Sequence, residues 1–160
     1  MAGAHILGAG LGIQTAGLCI GGGSAPPFLD TTEEYNGTAW SGGGTLSDAR
    51  QTFSGASGTQ TAGLAFGGND AVDTYKDLTE EYDGSTWSVA SDTLNNARNY
   101  MAGCGTQTST VCFGGSISGQ TYYNGTEIYS DGGGGSGSST PDPGLEDNLT
   151  LLDSIKSGKV

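Results

Sequence analysis

Several residues in this chain are of types that could do chemistry. Paired carboxylates recur at Glu33-Glu34 and Glu80-Glu81, with Glu127 as a third copy. Repeated carboxylates can ring a channel or hold Ca²⁺. Adjacent strand residues point to opposite faces, however. One Glu of each pair is therefore expected to face solvent, as a charged strand edge rather than a site. Catalytic carboxylate pairs need unequal environments, and repetition tends to equalise them. His5 is the only histidine, too few for a triad or for most zinc sites, and a surface or strand-edge position is expected for it. The three cysteines, Cys19, Cys104 and Cys112, fit neither a disulfide framework nor a zinc knuckle. The run Gly8-Ala9-Gly10-Leu11-Gly12 echoes a dinucleotide loop but precedes a strand rather than a helix, which argues against nucleotide binding.

The elements that would position these residues follow from an internal repeat. The segment Gly12-Ile13-Gln14-Thr15-Ala16-Gly17-Leu18-Cys19-Ile20-Gly21-Gly22 recurs at Gly58–Gly68 and again at Gly105–Gly115. A second anchor, Glu33-Glu34-Tyr35-Asn36-Gly37-Thr38-Ala39-Trp40, recurs as Glu80-Glu81-Tyr82-Asp83-Gly84-Ser85-Thr86-Trp87, with Glu127-Ile128-Tyr129 as a partial third copy. A third anchor pairs Leu46-Ser47-Asp48-Ala49-Arg50 with Leu94-Asn95-Asn96-Ala97-Arg98. Order and spacing are both kept, at roughly 47 residues per unit, giving units at about 2–47, 48–94 and 95–131. Cys19 and Cys112 share a repeat position with Ala65, and Cys104 aligns with Leu11 and Ser57; these alignments mark packing positions rather than nucleophiles.

Each unit reads as four short strands. The first covers stretches such as Asn99 to Cys104. A turn at Gly105-Thr106-Gln107 leads to the second, Ser109 to Phe113, which the Gly-Gly pair stops. The third strand carries the Tyr. Asn36-Gly37 and Asp83-Gly84 are hairpin turns, and the fourth strand begins at the Trp. Arg50 and Arg98 are expected to pair with repeat carboxylates such as Glu34 and Glu81, holding units together.

The repeat-defining residues are Gly21-Gly22, Gly67-Gly68 and Gly114-Gly115, with Tyr35, Tyr82, Tyr129, Trp40, Trp87, Arg50 and Arg98. Their order resembles the kelch repeat, in which each unit forms one four-stranded blade of a β-propeller. The wording of the repeat is similar to tandem kelch-like repeats of marine bacteriophage and environmental sequences. The resemblance covers residues 2 to about 131. It implies an all-β fold of about three propeller blades, the third incomplete for want of a Trp strand. Three blades are too few for a ring, which typically needs four to eight. The expected structure is an open arc, completed by oligomerisation. The aromatic residues are then blade-packing groups, with Tyr122 and Tyr123 as candidates for carbohydrate stacking. Some kelch-fold enzymes hold copper through Tyr, His and Cys, and a lone histidine argues against that chemistry here.

From Asp131 the texture changes. Residues 132–144 form a Gly/Ser/Pro linker. In residues 145–160, Leu145, Leu149, Leu152 and Ile155 fall on one face of a short helix, a candidate docking peptide.

The net charge of −12 argues against nucleic acid and anionic membranes as partners. Glycine supplies 31 of 160 residues without a collagen period, which suits short strands and tight turns. No segment reaches the apolar length of a transmembrane helix, and the N-terminus lacks the pattern of a secretory signal. The expectation is a non-enzymatic structural, decoration or appendage protein of a phage virion, without a cofactor and made in the host cytoplasm. Its expected partners are itself and a larger viral scaffold, such as a capsid or tail protein. A glycan- or receptor-binding module is the alternative.

Overall fold

The computed structural model describes residues 3–51, 55–72, 74–117 and 121–130. The linker and the candidate docking residues Leu145, Leu149, Leu152 and Ile155 lie outside these. The described chain is all-β. Strands β1 (Ala9–Ile13), β2 (Ala16–Gly22), β3 (Leu29–Tyr35) and β4 (Trp40–Thr45) form one antiparallel meander. A second meander follows from β5 (Ala56–Thr59), β6 (Ala62–Phe66), β7 (Thr79–Tyr82) and β8 (Trp87–Val89). The third sheet has β9 (Ala102–Thr106), β10 (Ser109–Phe113) and β13 (Thr126–Ser130) in the order β13-β10-β9. A short hairpin of β11 (Ser116–Ile117) and β12 (Thr121–Tyr122) intervenes; the repeat pattern does not announce it. The sheets stack as consecutive blades, with β1 against β5 and β5 against β9. This is an open propeller-like arc.

The first hairpin of each blade differs from the sequence expectation. The strand begins later and runs through the glycine: β9 starts at Ala102, and the turn is Gln107-Thr108 between the paired residues Thr106 and Ser109. The glycine is needed inside the strand rather than at the turn. Gly12, Gly58 and Gly105 all have positive φ, and a Cβ there would lie 2.2 Å from the carbonyl oxygen of Ala16, Ala62 or Ser109. The Gly-Gly pair ends β6 and β10 as expected, but β2 runs through Gly22 and pairs it with Leu29 across a register shift.

That Gly-Gly pair has a second task. Gly22 N–H donates to Arg50 O, and Gly68 N–H to Arg98 O, both at 3.0 Å. A Cβ on Gly21 or Gly67 would sit 2.8 or 2.6 Å from those same carbonyls. The glycines thus let the Arg segment lie against the blade it has just left.

Two apolar clusters fill the joints between blades. Ala9, Leu18, Ile20 and Leu46 meet Ala56, Ala65 and Tyr82 at the first. Leu64, Phe66 and Leu94 meet Met101 and Cys112 at the second. Burying a side chain such as Leu18 or Phe66 contributes about 1.5–3 kcal/mol.

Candidate functional site

Each joint is built from the same side chains. Arg50 leaves the first blade and reaches Glu80 on β7, both fully buried. Arg98 leaves the second blade and reaches Glu127 on β13. Glu80 also accepts from the Ser47 N–H at 2.7 Å, and Glu127 from the Asn95 N–H at 2.8 Å. A carboxylate taken from water needs such partners.

These pairings correct two expectations. The arginines meet the first Glu of each pair, not Glu34 or Glu81. The Glu pairs are not solvated edges either: Glu33, Glu80 and Glu127 are buried, and Glu34 and Glu81 are half-buried acceptors of the next blade's tyrosine. Tyr82 Oη donates to Glu34 at 2.5 Å and Tyr129 Oη to Glu81 at 2.6 Å. Strand alternation does separate the two carboxylates, but both faces of an inner blade are covered.

His5 is likewise not at the surface. Its side chain is 1% exposed, and its Nε2 lies 3.8 Å from Glu33 Oε2. Its Nδ1 is 2.7 Å from Gly21 O. It occupies, in the first blade, the place that Arg50 and Arg98 take at the joints, and like Arg98 it lies seven residues before the strand glycine.

Two further contacts complete each joint. Gln60 Nε2 donates to Gly17 O at 3.0 Å and Tyr35 O at 2.8 Å. Gln107 does the same to Gly63 O and Tyr82 O, at 3.1 and 2.8 Å. Sequence reasoning missed this role, although Gln14, Gln60 and Gln107 recur at one repeat position and signal it. At the first joint, Trp87 Nε1 donates to Thr32 Oγ1 at 2.9 Å, with its ring 4.9 Å from that of Tyr82.

Burial pushes the Tyr82 phenol up to about 12, helped by its bond to Glu34. The unfolded phenol ionises near 10.0. Stability from this group is therefore complete below pH 10 and is lost as pH rises toward 12. The urea midpoint should fall between pH 9 and pH 11.5, and Tyr82→Phe should remove that part of the fall.

The ends of the arc lack these partners. Gln14 is exposed, and Tyr35 and Trp40 are only half-buried although they pack on each other at 5.1 Å. At the other end, Val111 and Phe113 are 37% and 43% exposed, where their equivalents Leu64 and Phe66 are 0% and 2%. Ile128 is exposed beside them, paired with Val111. Cys104 shares that face and is exposed, contrary to the packing role expected of it; its equivalents Leu11 and Ser57 meet a following blade. One end of the arc therefore presents Gln14, Tyr35 and Trp40 without a preceding blade, and the other an apolar patch of Val111, Phe113 and Ile128.

Neither Cys19 nor Cys112 is set up as a thiolate nucleophile. Burial raises the Cys112 thiol above its ordinary range despite nearby Arg98, and it raises Cys19 as well, with Glu33 adding to the effect. Among the described residues, no three His, Cys, Asp or Glu side chains are grouped to hold a metal ion.

No family model matches the chain, and no curated protein does. Among solved structures, the chain is similar to YjhT, which has a kelch-like β-propeller fold, with a TM-score of 0.66 at 14% sequence identity. The match covers 79% of this chain and 43% of YjhT, so the chain spans less than half the length of that protein. At this identity the likeness speaks for the fold alone: a run of antiparallel β blades of the propeller kind.

Proposed function

We propose that this chain is a non-enzymatic assembly protein whose blades dock end to end onto other copies of itself. The observation that carries this reading is the exposure of Val111 and Phe113, where the internal joints bury the same positions. The opposite face offers the matching donors. Gln14 stands where Gln60 and Gln107 bind the carbonyls of a preceding blade, and the corresponding carbonyls on the last blade are those of Thr110 and Tyr129. Ile128 replaces the Glu at that joint, so the contact made there by Tyr35 is apolar rather than a hydrogen bond. Such a contact joins unlike faces, so it closes a ring or continues as a filament. Two chains would supply six blades.

The resemblance to phage repeats supports a place on a virion, as a decoration or appendage protein, with a capsid or tail protein as the larger scaffold. The charge of −12 opposes self-association, so salt should strengthen it. Sedimentation should show a species of at least twice the 16.0 kDa chain mass, growing from low to moderate salt. In that species Cys104 should be slow to react with a maleimide. A monomer at all concentrations, with Cys104 fully reactive, would remove the reading.

A second reading is glycan binding. Tyr122 is 89% exposed on the β11–β12 hairpin, where a flat ring is available to a sugar face. A glycan array with no signal, or an unchanged signal for Tyr122→Ala, would discard it.

A further inference from the structure

A mostly apolar cleft opens between the second and third blades, at the place where the first joint seats Trp87. Its lining corresponds by repeat position to the surroundings of Trp87. Thr79 stands for Thr32, Tyr129 for Tyr82, Leu94 for Leu46, Leu64 for Leu18 and Phe66 for Ile20. At the first joint the Trp87 indole covers these groups, donates to the threonine and lies against the tyrosine. At the second joint Thr79 is 2% exposed, but its hydroxyl receives no indole. Among the described residues no fourth strand carries one: β13 pairs with β10 alone, whereas β7 pairs with both β6 and β8. The chain has two tryptophans, and each already lies against the tyrosine of its own blade.

We propose that this cleft is a binding site for an extended peptide segment of a partner, carrying a tryptophan. The segment adds to the side of β13 that faces away from β10 and seats its indole between Thr79 and Tyr129. Strand addition supplies backbone hydrogen bonds, and the indole pocket supplies selectivity. The register follows from β7 and β8, where Tyr82 faces Trp87 and Glu80 faces Val89. The bound tryptophan faces Tyr129 and donates its indole N–H to Thr79 Oγ1. This deepens the assembly reading by naming what the incomplete third blade takes up.

The test uses the full chain and a fluorophore-labelled synthetic peptide with the sequence Asp83 to Ala90. Fluorescence anisotropy is followed at a protein concentration where sedimentation has defined the species present. Saturable binding is expected, weakened at least tenfold when the peptide tryptophan is replaced by alanine. Thr79→Val, nearly isosteric, should weaken binding of the tryptophan peptide several-fold and leave the alanine peptide unaffected. Should that variant fail to melt cooperatively, the comparison of the two peptides on the unaltered chain decides alone. Equal binding of both peptides, or no binding at millimolar peptide, overturns the proposal. Sedimentation reports the self-assembly reading separately: a monomer that binds the peptide rejects that reading and keeps the cleft, and an oligomer that ignores the peptide does the reverse.

Discussion

Replacing Arg50 by methionine is expected to cost about 3–5 kcal/mol, the range for breaking a buried ion pair from one side. Arg50 and Glu80 are both fully buried, and the pair runs from the first blade's exit segment to β7 of the second sheet, with the more exposed Asp48–Lys76 pair beside it in the same segment. Without the guanidinium, the Glu80 carboxylate keeps the hydrogen bond from the Ser47 N–H and remains out of water. A domain with a total stability of about 5–15 kcal/mol loses a large share. Urea denaturation followed by tryptophan fluorescence measures the effect, since Trp87 lies at the same joint. The double variant Arg50→Met with Glu80→Gln should recover much of the loss, because no charge is then stranded. A cost under about 1 kcal/mol for Arg50→Met alone would show that the pair does not hold the joint.

Phe113→Asp should separate stability from assembly. Phe113 is 43% exposed in the single chain, so the change should alter unfolding by no more than about 0.5 kcal/mol. Its equivalents Ile20 and Phe66 are 0% and 2% exposed at the internal joints. A docked copy would bury Phe113 similarly, and an aspartate there would be a desolvated, unpaired charge. Loss of such a central aromatic contact costs upward of about 2–4 kcal/mol, so association should weaken by about thirtyfold or more. Sedimentation of the variant beside the unaltered chain reads this directly. Equal association constants would place the contact elsewhere.

The repeat was legible because its anchors are spaced by geometry. Tyr and Trp flank an Asx-Gly turn, and the Gly-Gly pair marks where the arginine segment crosses back. These features set the four-strand unit, and the third sheet of three described strands agrees with a copy lacking its Trp. The partner of each arginine was less legible. Glu80 and Glu81 are neighbours on one strand, and alternation says that they part company without saying which faces inward. That choice depends on the path of the Arg segment, a tertiary matter. His5 was misplaced because its lack of catalytic or metal partners was given more weight than its repeat position, seven residues before Gly12 as Arg98 is before Gly105. Cys104 was misplaced for the opposite reason: the alignment with Leu11 and Ser57 was right, but burial there is conferred by a following blade. The cleft beside Thr79 was legible only as a third copy wanting its Trp strand; which side chains line it depends on how the second and third blades pack.

The glutamine contacts carry a wider consequence. Gln60 and Gln107 grip main-chain oxygens of the unit before them, and every amino acid supplies such oxygens. At these bonds the receiving unit is met through the course of its backbone, whereas Tyr82, Tyr129 and Trp87 meet the side chains of Glu34, Glu81 and Thr32. A copy is therefore free to vary where only the glutamine touches it, and is held to its carboxylate and hydroxyl where the aromatic residues do.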